Sequence, residues 1–321
     1  MSPAGLFRDA DAETVAGRVA AHARDAREGL FGPESMLWTI ARENVLFAGA
    51  PRALLLQLAH PAVLTGILEH SQVASDPLGR SVRTFEAMYT LTFGDTDSAL
   101  GVIRTVWKRH QLVRGEVLRD TRSPEAGAHY EATHSTLLRW VWATLEDTMV
   151  RTFETFVRPL SPDERSRFHD DGKVVQLAFG VPEHDLQTTP AAFDAYVEDM
   201  LEGPVLDVPP AARAQWELLV RQPPSGGLVG ALMLPQARAI SLLLDGFPSR
   251  LLAPVVARLL AAGTLPPRLR AGYGLRWSGS DAAAFKLIVE ATRRSVAHLP
   301  KQLRYHAAYW RALRRLARRA A

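Results

Sequence analysis

The sequence contains no cysteine. That excludes disulfides, a thiolate nucleophile, Cys-ligated zinc, iron–sulfur clusters and the Cys-x-x-Cys-His attachment of a c-type haem. A haem in this chain would be held non-covalently and without a thiolate. Long apolar runs are also lacking. The most apolar stretch, "ALLLQLAHPAVLTGIL" at 53–68, is interrupted by Gln57, His60, Pro61 and Thr65, short of the ~20 apolar residues a spanning helix needs. It reads as a buried core helix. The opening "MSPAGLFRDADAETVAGRV" has no apolar segment of a secretory signal, so a cytoplasmic protein is expected. Nor does one sign of charge dominate: 38 Lys and Arg face 34 Asp and Glu, too mild an excess to imply nucleic acid.

Familiar motifs are missing too. There is no Gly-x-Gly-x-x-Gly, P-loop, His-Glu-x-x-His or Gly-x-Ser-x-Gly, so nucleotide, zinc-protease and serine-hydrolase readings lack support. "GGLVG" at 226–230 is only a glycine-rich loop.

What is present is helical pattern. The 321 residues are 47% hydrophobic, enough to bury a large core. Helices are expected over 11–28, 35–48, 51–69 (kinked or broken at Pro61), 77–93 with Asp76 as cap, and from "GDTD" onward. Further helices are expected over 131–158, from the Ser161/Glu164 capping box, from about 190, over 236–262 and 281–297, and in a basic stretch over 301–321. Residues 203–230 read as a loop rich in Pro and Gly. The fold class is all-α, a single large helical domain. It divides into an N-terminal helical extension (1–34), a main domain (35–280) and C-terminal helices with a basic tail (281–321).

"RTVWKRHQLVRGE" at 104–116 sets one histidine in a row of arginines. Numbered as a helix, it places Ala99, Ile103, Val106, His110 and Val113 on one stripe. His110 therefore points inward, with Arg114 one turn further along. Such a histidine is more often a hydrogen-bonded core residue than a ligand; the ligand reading is an axial donor to a metal or haem. In "RSVRT", Arg80, Arg83 and Thr84 share one side of a helix. These arginines are equally readable as surface charges or as partners of Glu69, Asp76 and Glu116.

"LLLQLAHPAVLTGILEHSQVASDPLGRSVRTFEAMYTLTFG", followed by "VIRTVWKRHQLVRG", resembles the MpaB/latex-clearing-protein oxygenase family. The resemblance runs on through "WVWATLEDTMVRTFE" and "FGVP" to "LPPRLRAGYGLRW", covering most of residues 35–277. It implies a haem-sized pocket between core helices, non-covalent haem b, dioxygen as co-substrate and an apolar, alkene-containing substrate of isoprenoid type. By the same resemblance His110 ligates the iron and Arg114 supports the site. Arg80 and Thr84 match the distal arginine and threonine. Latex-clearing enzymes have a lysine just before that threonine, able to occupy the distal iron position. Here Arg83 stands there, and a guanidinium cannot ligate, so an open or water-occupied position is expected. A catalytic carboxylate is implied; Glu69 is the first choice for it and His70 the rival. A non-catalytic haem-binding sensor or carrier, and a metal-free helical interaction protein, are the alternatives.

The C-terminal helix carries Arg304, Arg311, Arg314, Arg315, Arg318 and Arg319, with Trp310 among them. Anionic lipid would suit such a run, but a solvated helix face is the commoner role. Peripheral membrane contact is therefore the minor expectation, and no nucleic-acid partner is expected.

Overall fold

A computed structural model describes the backbone of residues 11–71, 77–221 and 249–318, and their side chains except at 77–81, 219–221 and 249–253. Asp76 as a cap, the "GGLVG" loop, residues 236–248 of the expected helix, the Arg80 side chain and Arg319 lie outside the described residues.

The elements follow from local sequence. Asp11 and Ser35 cap α1 (Ala12–Ala20) and α2 (Met36–Ala41), each side chain accepting from a backbone N–H of the first turn. A 3-10 turn, Asn44–Gly49, leads into α3 (Ala50–Leu58). His60 is extended, as the residue before a proline prefers, and Pro61 opens α4 (Pro61–His70), where its missing N–H costs nothing. The single kinked helix expected over 51–69 is therefore two helices. Next come α5 (Pro77–Phe93) and α6 (Thr96–His110), the latter capped by Asp95. A small antiparallel ribbon follows, β1 (Arg114–Glu116) against β2 (His129–Glu131), with Gly115 opposite Tyr130.

The second half runs α7 (Ser135–Phe156), α8 (Pro162–Ala178), a 3-10 turn at Glu183–Asp185, α9 (Pro190–Glu202) and α10 (Pro210–Arg221). Then come α11 (Ser249–Thr264), α12 (Pro267–Gly272), α13 (Gly279–His298), α14 (Lys301–Arg304) and α15 (Ala307–Ala317). The capping box of Ser161 with Glu164 is present. So the chain is all-α apart from the ribbon. Two expectations change. Helix α10 occupies part of the expected 203–230 loop. The expected 11–28 helix stops at Ala20, and the chain beyond it turns through Gly29, which lies at φ +79° against Gly94, where any Cβ would meet the Gly94 carbonyl oxygen at 2.1 Å.

Helix α7 serves two cores. Leu138, Trp142, Val150 and Phe153 pack with α1, α2, α6, α8 and α15. Trp140 and Ala143 pack with α3, α4, α9, α11 and α12. The chain's last helices close the first core: His306 stacks on Tyr89 at 3.8 Å between ring centroids, and Arg304 pairs with Glu43 at 2.7 Å. Among the described residues no helix is long and apolar enough to cross a membrane.

Candidate functional site

Helix α6 presents Ala99, Leu100, Ile103 and Trp107 to the core. Trp107 lies over Gly180, whose φ of +91° and open α-carbon admit the ring; a Cβ there would be 2.3 Å from it. His110 is the last residue of the helix. Its Nδ1 is buried and meets no hydrogen-bond partner. Burial pushes its pKa down to about 4, so the ring is neutral near pH 7 and keeps a lone pair, the state in which an imidazole ligates a metal.

Arg114 is not one helical turn beyond His110, as the stripe implied. The helix ends at His110, the Val113 N–H returns to the His110 carbonyl at 3.0 Å, and Arg114 begins β1, paired with Glu131. Strand pairing, a long-range contact, terminates what the periodicity continued. Arg114 remains exposed.

Around Arg114 a small polar cluster forms. His70 Nε2 donates to the Arg114 carbonyl at 3.1 Å and lies 3.8 Å from Glu69 Oε2. The Tyr130 hydroxyl donates to the same Glu69 oxygen at 2.9 Å. Burial, reinforced by the Glu69 bond, holds the phenol well above its ordinary pKa, so it stays a donor. Gly115 is what lets these groups close up: a Cβ there would sit 2.8 Å from Glu69 Oε2 and 3.2 Å from the Tyr130 ring. The structure thus brings Glu69, His70 and Arg114 together. Tyr130 was not singled out from the sequence; its place opposite a glycine across a ribbon is the only signal it carried.

Arg83 and Thr84 lie exposed on the first half of α5, the helix that packs against α6. Phe85 beside them packs edge-on to Phe47 at 5.1 Å.

Two fully buried histidines offer a comparison with half-buried His110. His60 is 3% exposed, its Nδ1 3.7 Å from Glu125 Oε2, too far for a hydrogen bond. Burial lowers its pKa to about 4 and raises that of Glu125. His169 is different. Its Nδ1 meets Glu146 at 2.8 Å and its Nε2 donates to the Gln187 carbonyl at 2.9 Å, while Trp142 donates to the other Glu146 oxygen at 2.7 Å. Burial raises Glu146; burial alone would lower His169, but the Glu146 bond and charge hold it above its ordinary value. A carboxylate four residues after Trp142 on an apolar stripe was the sequence signal for this pair.

A concavity of about 980 Å³ lies elsewhere, between α7, α8, α9 and the start of α12. Its arginines are engaged: Arg151 with Asp147, Arg165 with Asp194, Arg268 with the Gly203 and Leu206 carbonyls. Neither His110 nor Glu69 lines it, so size and chemistry point to different places, and the unpartnered imidazole is the better guide to reactivity.

Residues 37–294 match the family described as "ER-bound oxygenase mpaB/B'/Rubber oxygenase, catalytic domain". The chain belongs to this family. The span of the oxygenase domain covers every candidate residue from Glu69 to Arg114 and ends within α13. Two relatives, an uncharacterized protein of Mycobacterium tuberculosis and one of Mycobacterium bovis, are each 25% identical over 244 residues, covering 74% of this chain and 84% of their own length. No solved structure matches the oxygenase domain.

Proposed function

We propose that the chain is a haem b-dependent oxygenase that applies dioxygen to an apolar, alkene-containing substrate. Family membership supports oxygenase chemistry. The observation that carries the cofactor is His110: a neutral, buried imidazole nitrogen without a protein partner. Among the described residues no three His, Asp or Glu side chains gather into a metal cage. His110 would thus act as a lone protein donor, which suits iron already held by a porphyrin.

Haem, when bound, supplies the activation of dioxygen; the chain supplies ligation, orientation and electrostatics. His110 would hold the iron through a ring nitrogen. Arg114, exposed at the start of β1 four residues past the helix, would be a charge-assisted donor for a haem propionate. Arg80 and Arg83 would supply positive charge to the oxygen chemistry, and Thr84 a hydroxyl. Glu69 is the carboxylate base, its Oε2 already oriented by the Tyr130 hydroxyl. His70 Nε2 carries its proton toward the Arg114 carbonyl, which leaves Nδ1 as the atom with which it would rival Glu69.

The test is a pyridine haemochrome assay with an absorption spectrum on protein from cells supplied with a haem precursor. Haem b near one per chain, lost in His110→Ala and kept in His60→Ala, is the expected result. Loss in His60→Ala alone would move the ligand to His60. A colourless wild-type protein that also refuses added haem would sink the proposal. Given haem, Arg80→Ala should keep the Soret band and slow oxygen-dependent turnover by ~10²–10³-fold, the usual cost of one preorganised donor.

A further inference from the structure

The basic run at 301–318 divides in the folded chain. Arg304 closes on Glu43 through two 2.7 Å bonds, and Arg315 donates to the carbonyls of Arg27 and Phe93. These two are structural. Ala307, Arg311, Arg314 and Arg318 recur at steps of four, three and four, and so share one stripe of α15. Arg311, Arg314 and Arg318 are exposed, and no described carboxylate pairs with any of them. With Gln302, Ala307 and Trp310, Arg311 and Arg314 line a concavity of about 460 Å³. The Trp310 indole N–H is buried and donates to no group of the protein. The patch is thus rich in strong donors, two guanidiniums and an unspent N–H, and matches an anion with several acceptor oxygens.

We propose that this face of α15 docks on the phosphate headgroups of an anionic phospholipid surface. Two features favour a surface over a lone anion. The arginine stripe continues a turn beyond the concavity to Arg318, and Leu303, next to Gln302, is left 45% exposed. The mode of contact also follows. The apolar face of α15, with Ala308 and Ala312, is already spent on the core, so the helix does not insert. Contact is electrostatic, reversible and screened by salt. The inference stands whether or not the chain binds haem.

The experiment is co-sedimentation of the full chain with phosphatidylglycerol-containing vesicles and with pure phosphatidylcholine vesicles. Binding to the first alone, abolished at about 0.5 M salt, is expected. R311Q/R314Q should weaken it about thirtyfold, the effect of two basic side chains near a charged surface, with an unchanged thermal melt. K286Q/R294Q removes two exposed charges from α13 and should leave binding intact. Where the first double variant fails to fold, Arg314→Gln alone serves, with an expected loss of about fivefold. Equal losses in the two double variants would reduce the effect to net charge and overturn the proposal. So would failure to bind vesicles, whether the patch instead takes up inorganic phosphate, seen as an R311Q/R314Q-sensitive melt shift, or captures RNA.

Discussion

The end of α6 and the middle of α8 each carry a histidine with a buried ring nitrogen, His110 half-buried and His169 fully so, and the protein treats them in opposite ways. His169 has both nitrogens engaged, one by the Glu146 carboxylate and one by a backbone carbonyl. His110 has a buried nitrogen that nothing engages. The first is what a core histidine looks like once the desolvation of its polar atoms has been compensated. The second has a nitrogen with no partner in the protein, which is the feature on which the haem proposal rests. His60 Nδ1 shares this feature, so the contrast with His169 leaves two histidines as candidate donors, and the two alanine variants of the haemochrome assay separate them.

The largest effect that could break this contrast concerns stability. His169→Ala leaves the Glu146 carboxylate buried with only Trp142, and urea unfolding should show a loss of about 3–5 kcal/mol. His110→Phe in haem-free protein removes an orphan polar atom and should fall within about 1 kcal/mol of wild type, or above it. Similar losses at both positions would erase the distinction.

Next comes pH. Unfolded histidine takes up its proton near 6.5, whereas folded His110 and His60 resist until about 4. The stability that these two neutral rings contribute is therefore fully present above pH 6.5 and declines as pH falls toward 4, by at most ~1.4 kcal/mol per unit for buried His60 and less for half-buried His110. His169, raised by Glu146, works in the reverse sense: its stabilisation is present below 6.5 and is lost as pH rises through its folded pKa. Denaturant midpoints against pH for wild type and His110→Phe should differ in slope only below 6.5.

Smaller changes sharpen each side. Gly115→Ala forces a methyl group against Glu69 and Tyr130 and should cost about 1–3 kcal/mol. Ser161→Ala dissolves the capping box of α8 and should cost about 1 kcal/mol, with haem content unaffected.

What the sequence made legible was local. The caps at Asp95, Ser161 and Thr189 depend on residues within one turn, and all three are formed. The inward stripe of α6 was readable only in part: Ala99 and Ile103 are buried, but Val106 and His110 are half-buried, Val113 lies past the helix, and Leu100 and Trp107 complete the buried face. What it concealed was non-local. No periodicity announces that β1 will pair with β2 thirteen residues after Glu116, so Arg114 read as helical. Glu146 and His169 lie 23 residues apart on separate helices; only the packing of α7 on α8 makes them a pair. Tyr130 and Glu69 are 61 residues apart, joined across a ribbon too short to show alternation.

One contact has a consequence for how the protein is made. Glu43 and Arg304 are 261 residues apart, and His306 completes the aromatic stack on Tyr89. A ribosome adding about 5–20 residues per second therefore exposes α2 and α5 for some tens of seconds before the segment that covers them is synthesised. Throughout that interval Trp38, Phe93 and Tyr89 lack the segment that covers them on an incomplete nascent chain. Chaperone engagement during translation, not the speed of any single helix, would then govern the yield of native protein.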